Sequence, residues 1–261
     1  MEVLIREHAE AGCILGAKII ARVVRDKPTA VLGLATGRTP LRLYQELIRL
    51  HRDEGLDFSR ITTFNLDEYV GLPATHDQSY RYFMRENLFQ HINIDQGRTH
   101  VPDGTAADIH EECRSYERKI EAAGGIDLQL LGLGRNGHIG FNEPTGSLRS
   151  RTWVKILSEQ TLRDNSAVLG SLAAMPKHAL TMGIGTILDA RRILLLAFGP
   201  AKVRAVERMV EGPLAAICPG SALQLHPRAT MILDENSAAG LQYADHYRWI
   251  DSQKLPWQRY E

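Results

Sequence analysis

The chain has 261 residues, with 31 Lys plus Arg against 31 Asp plus Glu, so its formal net charge is zero. No global field steers such a molecule onto nucleic acid or an anionic membrane. A composition of 44% hydrophobic and 24% charged residues excludes bulk disorder and fibrous repeats.

In chain order, apolar residues at Ala11, Ile14, Leu15, Ile19 and Val23 follow a helical period and predict a first helix. TAVLGLA (29–35) is a short apolar run ending in TGRTP, which predicts a buried strand entering a turn. Pro40 suits the first turn of the helix that follows, and Gly55 closes it. ITTFNL (61–66) predicts a second strand leading into the loop DEYVGLPATHDQ. Asp77 is placed to cap a helix through Tyr80, Phe83, Met84 and Leu88. A polar helix is predicted over 106–123, and a strand over 126–134 that runs into a Gly-rich loop. Further strands are predicted at 153–157, 191–199 and 229–235, with a helix at 201–212 between Pro200 and Gly212.

Strands alternating with helices about every 30 residues imply an α/β, Rossmann-like fold. The sheet is expected to be mostly parallel, with helices on both faces. Without a low-complexity linker, repeat or charge block, a single domain over residues 1–261 is expected. A globule of this size buries roughly 73% of its unfolded surface, enough for one sizeable core. No stretch approaches the roughly 20 apolar residues of a membrane span, so no membrane partner is expected. Cys13, Cys113 and Cys218 are odd in number, far apart and without metal spacing. They predict reduced packing residues in a cytoplasmic protein.

Ligands of such sheets bind at the carboxyl ends of strands, and the unusual polar loops all follow apolar strands. Thr36, Gly37, Arg38 and Thr39 combine two hydroxyls, a flexible Gly and a helix start, an arrangement suited to a phosphate. They also suit an ordinary capped turn. The loop matches neither a Walker A motif nor G-x-G-x-x-G, so no nucleotide is indicated. Asp67 and Glu68 follow a strand directly. Neighbouring residues of extended chain point to opposite sides, so only one is expected to face a pocket. By itself, the pair reads more readily as a helix cap or a loop ion pair.

The loop Gly132-Leu133-Gly134-Arg135-Asn136-Gly137-His138-Ile139-Gly140-Phe141-Asn142-Glu143-Pro144 carries the most information. Its four glycines allow close backbone approach. His138 can exchange protons near neutral pH, and Glu143 can orient it. No Ser or Cys elbow accompanies it, and H-x-x-x-x-E is not a zinc spacing. Lys202 opens a helix, where a cation is favoured only if it meets an anion. A solvated surface lysine is the alternative reading.

The segments LGLATGRTP, TFNLDEYVGL, LLGLGRNGHIGFNEP, ALTMGIGTILDARRILLLAFG and ALQLHP resemble glucosamine-6-phosphate deaminases, also called isomerases. The resemblance runs in order from about residue 2 to residue 240. It implies hydrolytic, isomerising deamination of glucosamine 6-phosphate to fructose 6-phosphate and ammonia, in amino sugar and N-acetylglucosamine catabolism, without metal or organic cofactor. It implies that Asp67 moves the C2 proton to C1. His138 opens the pyranose ring, Glu143 tunes His138, and Asn136 orients by hydrogen bonding only. Thr36, Gly37, Arg38, Thr39 and Lys202 match the family's phosphate-binding region. The partner implied is a small sugar phosphate, and family members occur as monomers and as hexamers.

Two departures stand out. Many members carry an Arg for the phosphate after an N-S or N-A pair, whereas here Asn165-Ser166 is followed by Ala167. Arg163 and Arg38 are the residues that could compensate. Allosteric members use an Arg-x-Lys-Thr run, and here Trp153-Val154-Lys155-Ile156 keeps only the Lys, with Gly146 where a Ser is expected. No activation by N-acetylglucosamine 6-phosphate is therefore expected. The alternatives are a 6-phosphogluconolactonase-like hydrolase, whose family lacks the FNEP continuation present here, and a non-catalytic sugar-phosphate sensor.

Overall fold

A computed structural model describes residues 1–163 and 176–260. Ala167 and its neighbours Asn165 and Ser166 lie outside the described residues.

Among the described residues, ten strands alternate with helices. The first are β1 (Glu2–Arg6), α1 (Ala9–Asp26), β2 (Val31–Leu34), α2 (Leu41–Glu54), β3 (Thr62–Asn65), β4 (Asp67–Tyr69) and α3 (Tyr80–Asn87). Then come β5 (Thr99–His100), α4 (Ile109–Ala122), β6 (Leu128–Gly132), β7 (Trp153–Ile156) and β8 (His178–Thr181). The chain ends with α5 (Ile184–Leu188), β9 (Ile193–Ala197), α6 (Val203–Val210), β10 (Ala229–Asp234), α7 (Glu235–Ala238) and α8 (Ala244–Ser252).

Seven strands form one sheet in the order β1-β10-β9-β6-β2-β3-β5. Every neighbouring pair in it is parallel. β2 and β9 are buried at every position, which is why they read as unbroken apolar runs rather than as alternating patterns. From β2 the chain winds outward to β3 and β5, then returns to place β6 on the other side of β2. The carboxyl ends of β2 and β6 therefore flank a topological switch point, where such sheets open a crevice.

A second, antiparallel sheet, β4-β8-β7, continues from the end of β3. Asp67 pairs with Thr181, and Trp153 pairs with Thr181 from the other side. Asp67-Glu68-Tyr69 is thus a strand, where the sequence predicts the beginning of a loop. β7 belongs to this small sheet, not to the parallel one. β1 and β8 are further strands that local periodicity does not reveal. The three cysteines are free and buried.

α2 begins after Pro40 and ends at Gly55 in the left-handed conformation (φ 68°), as the Pro and Gly predict. At α3, however, Ser79 accepts from the Tyr82 amide as N-cap. Asp77 is exposed and faces His76, so it does not cap that helix.

Candidate active site

One cleft at the carboxyl end of the parallel sheet, about 200 Å³ in volume, is lined by Thr36, Gly37, Arg38, Thr39, Asp67, His138 and Lys202. Residues predicted from four separate segments thus converge. Asn136 and Glu143 stand behind His138 rather than in the wall. The loop after β2 supplies one side. Gly37 takes φ 100°, in the region that favours glycine. The amides of Gly37, Arg38 and Thr39 meet no acceptor among the described residues. α2 starts at Pro40 without a side-chain cap, so its positive end and these amides face the cleft together. Opposite them, Lys202 donates to the Leu133 carbonyl at 2.6 Å, which ties its ammonium to the end of β6.

β4 sorts the two acids. Glu68 points away and receives the amides of Tyr69 (2.9 Å), Tyr80 (3.0 Å) and Arg81 (3.0 Å), so it sits at the start of α3. Burial still pushes its carboxyl above the usual range. Asp67 faces the cleft. Burial drives its pKa well above the ordinary value, and the Glu68 charge adds to the rise. Gly140, at φ 55°, brings the His loop against it: a Cβ there would lie 3.6 Å from Asp67 Oδ2.

The other half of the site is a carboxylate–imidazole pair. His138 Nδ1 is buried and lies 3.7 Å from Glu143 Oε2. That separation is an ion-pair contact and longer than a hydrogen bond. It leaves Nε2 as the ring nitrogen able to meet a ligand. Asn136 clasps both residues. Its amide donates to Glu143 Oε2 at 2.8 Å, and its carbonyl accepts the His138 amide at 3.2 Å. Glu143 Oε1 accepts from the Ser158 hydroxyl at 3.0 Å, the Ser158 amide at 3.3 Å and the Thr161 hydroxyl. Burial alone would raise the Glu143 pKa. The His138 imidazole and the Thr161 and Asn136 hydrogen bonds outweigh it and hold the carboxyl at about 2.

Sequence reasoning missed Ser158, Thr161, Tyr80, Gly134 and Thr181. Thr161 and Tyr80 line the cleft. Thr181 accepts the Phe141 amide at 3.0 Å and so fixes the turn after His138. Ser158, Thr161 and Tyr80 lie outside the motifs and only the fold brings them near, whereas Gly134 and Thr181 lie within motifs and only the fold shows what they touch. Of the two arginines considered for the phosphate, Arg38 lines the cleft and is exposed. Arg163 is exposed and paired with Glu159.

A loop of amides without acceptors, facing a carboxylate and a His–Glu pair across a switch point, is the arrangement of an acid–base enzyme for a small anionic substrate. A family model for glucosamine-6-phosphate isomerases/6-phosphogluconolactonase matches residues 6–232. The glucosamine-6-phosphate deaminase of Hahella chejuensis is 53% identical over 255 residues, 98% of this chain and 97% of that protein. The deaminase of an Arthrobacter species is 52% identical over 258 residues, 99% of each chain. Among solved structures, a monomeric glucosamine-6-phosphate deaminase superposes with a TM-score of 0.91 at 47% identity, covering 92% of this chain and all of that one. A 6-phosphogluconolactonase from Trypanosoma cruzi shares the fold, with a TM-score of 0.74 at 20% identity over 92% of this chain and 97% of that one. This chain belongs to the glucosamine-6-phosphate isomerase/6-phosphogluconolactonase family.

Proposed function

We propose that this chain is a glucosamine-6-phosphate deaminase, acting as one domain in the cytoplasm. The observation that carries this reading is the meeting of Asp67, His138 and the Thr36–Thr39 loop in a single cleft, with Glu143 held behind His138. Identity above 50% to proteins of that name supports it. The three buried free cysteines support a reducing compartment.

The free amides of Gly37, Arg38 and Thr39, with Lys202, receive the phosphate and fix the sugar for proton transfer. A cyclic amino sugar has no free carbonyl. His138 protonates the ring oxygen and takes the proton of the C1 hydroxyl, and Glu143 steadies the imidazolium. The open-chain aldehyde and the C2 ammonium acidify the C2 hydrogen. Asp67 removes it and returns it to C1, while O1 takes up a proton and the ammonium gives one up, which leaves a hydroxymethyl group at C1 and an iminium at C2. Water adds there and ammonia departs, so glucosamine 6-phosphate and water become fructose 6-phosphate and ammonia. Asp67 is buried and ill-solvated as an anion, which strengthens it as a base once the substrate ammonium offsets its charge.

The test is a coupled assay for fructose 6-phosphate and ammonia from glucosamine 6-phosphate. His138→Gln should slow the cyclic substrate more than an open-chain analogue. Equal loss on both would remove His138 from ring opening.

A further inference from the structure

The Glu143 carboxylate is divided between two sets of partners. Oε2 faces Asn136 and His138, while Oε1 faces Ser158 and Thr161. Thr161 is buried and its hydroxyl ends on Oε1. The Ser158 hydroxyl reaches both Oε1 and Thr161 Oγ1 at 3.0 Å, and it accepts the Thr161 amide at 3.2 Å. The two side chains therefore brace each other as well as the carboxylate. Without them, Glu143 could turn about its last torsion, which is broad for a carboxylate. Among the described residues, His138 Nδ1 has no hydrogen-bond partner, only this carboxylate's approach at 3.7 Å.

We propose that Thr161, assisted by Ser158, is a positioning residue that anchors Oε1 of Glu143 so that Oε2 stays turned toward His138 Nδ1. This keeps the proton of the neutral imidazole on Nδ1 and presents an unprotonated Nε2 to the cleft. The catalytic consequence rests on the reading of His138 as the ring-opening acid–base group. The consequence for the imidazole does not.

Two measurements test the anchor. The first is 15N NMR of the His138 imidazole in the ligand-free protein. The wild type should give the Nδ1–H tautomer alone, and Thr161→Val should give a mixture, with Thr161→Ser restoring the single tautomer. The second is a double-mutant cycle on deaminase turnover. Thr161→Val should lower kcat about tenfold, the scale of one charge-assisted hydrogen bond, and leave KM within about twofold. Thr161→Ser should recover most of that loss. In a Glu143→Gln background, Thr161→Val should cost less than twofold more, because the group it anchors is already gone. Ser158→Ala removes the second brace and should move both readouts the same way, which covers a Thr161→Val that folds poorly. Unchanged 15N shifts in both variants, or an equal kcat loss in both backgrounds, would overturn the proposal. If the tautomer responds as expected but the wild type releases no ammonia, the deaminase reading fails and the anchor stands.

Discussion

Gly134 lies flat against the imidazole of His138: a Cβ built on the glycine would sit 2.3 Å from Cε1 and 2.4 Å from each ring nitrogen. The loop needs this glycine for that contact and not for an unusual backbone angle, since it has no positive φ. Gly134→Ala must displace the ring, and a shift of about 1 Å at a reacting group costs about 100-fold. We expect that loss in kcat with a folded protein, read by turnover beside a thermal melt.

Asp67 sets a conflict between stability and activity. Its folded-state pKa is raised by burial, so the contribution it makes to stability is present below its unfolded value of 3.8 and is lost as pH rises through the folded value. Asp67→Asn should therefore raise the melting temperature at pH 8, by about 2–4 °C for each kcal/mol gained, with the gain vanishing below pH 3.8. The same variant should lose about 10²–10⁴-fold in turnover. In the wild type, the acid limb of kcat/KM should lie above the ordinary carboxylate range. The limb of kcat should lie lower, because the bound ammonium favours the ionised carboxylate.

Glu143 shows the opposite sign. Its carboxyl is held at about 2 against an ordinary 4.5. Its stabilisation is full above pH 4.5 and is lost as pH falls toward 2. Glu143→Gln should cost about 3 kcal/mol at pH 7 and progressively less on acidification. Chemical denaturation at pH 7 and pH 3 checks this, and an equal cost at both would contradict it.

N-acetylglucosamine 6-phosphate should leave the substrate saturation curve unchanged. Lys155 is the one basic residue of the matching run, and its ammonium lies 4.4 Å above the Trp153 ring. No arginine stands at Trp153 to grip a second phosphate. A leftward shift or a change in curve steepness on adding this sugar would contradict the expectation.

The parallel sheet was legible because strands such as β2 (VLGL) and β9 (ILLLA), buried at every position, are unbroken runs without a polar residue. The small sheet was not, because β4 finds its partner β8 more than a hundred residues away. Asp77 and Ser79 are both good caps in sequence. Glu68 decides between them by reaching the Tyr80 and Arg81 amides from another strand, which sets the helix start at Ser79. The alternation of strand side chains correctly gave one pocket-facing acid but could not say which. His138 and Glu143 were legible as neighbours, while Ser158, Thr161 and the ring-packing role of Gly134 depend on folded geometry.

The most direct test of the account is the release of fructose 6-phosphate and ammonia from glucosamine 6-phosphate by wild type and Asp67→Asn, both shown to be folded. The wild type should release both products stoichiometrically, and the variant should lose at least about 100-fold. A folded wild type that releases neither product, or an Asp67→Asn variant that turns over at the wild-type rate, would contradict it.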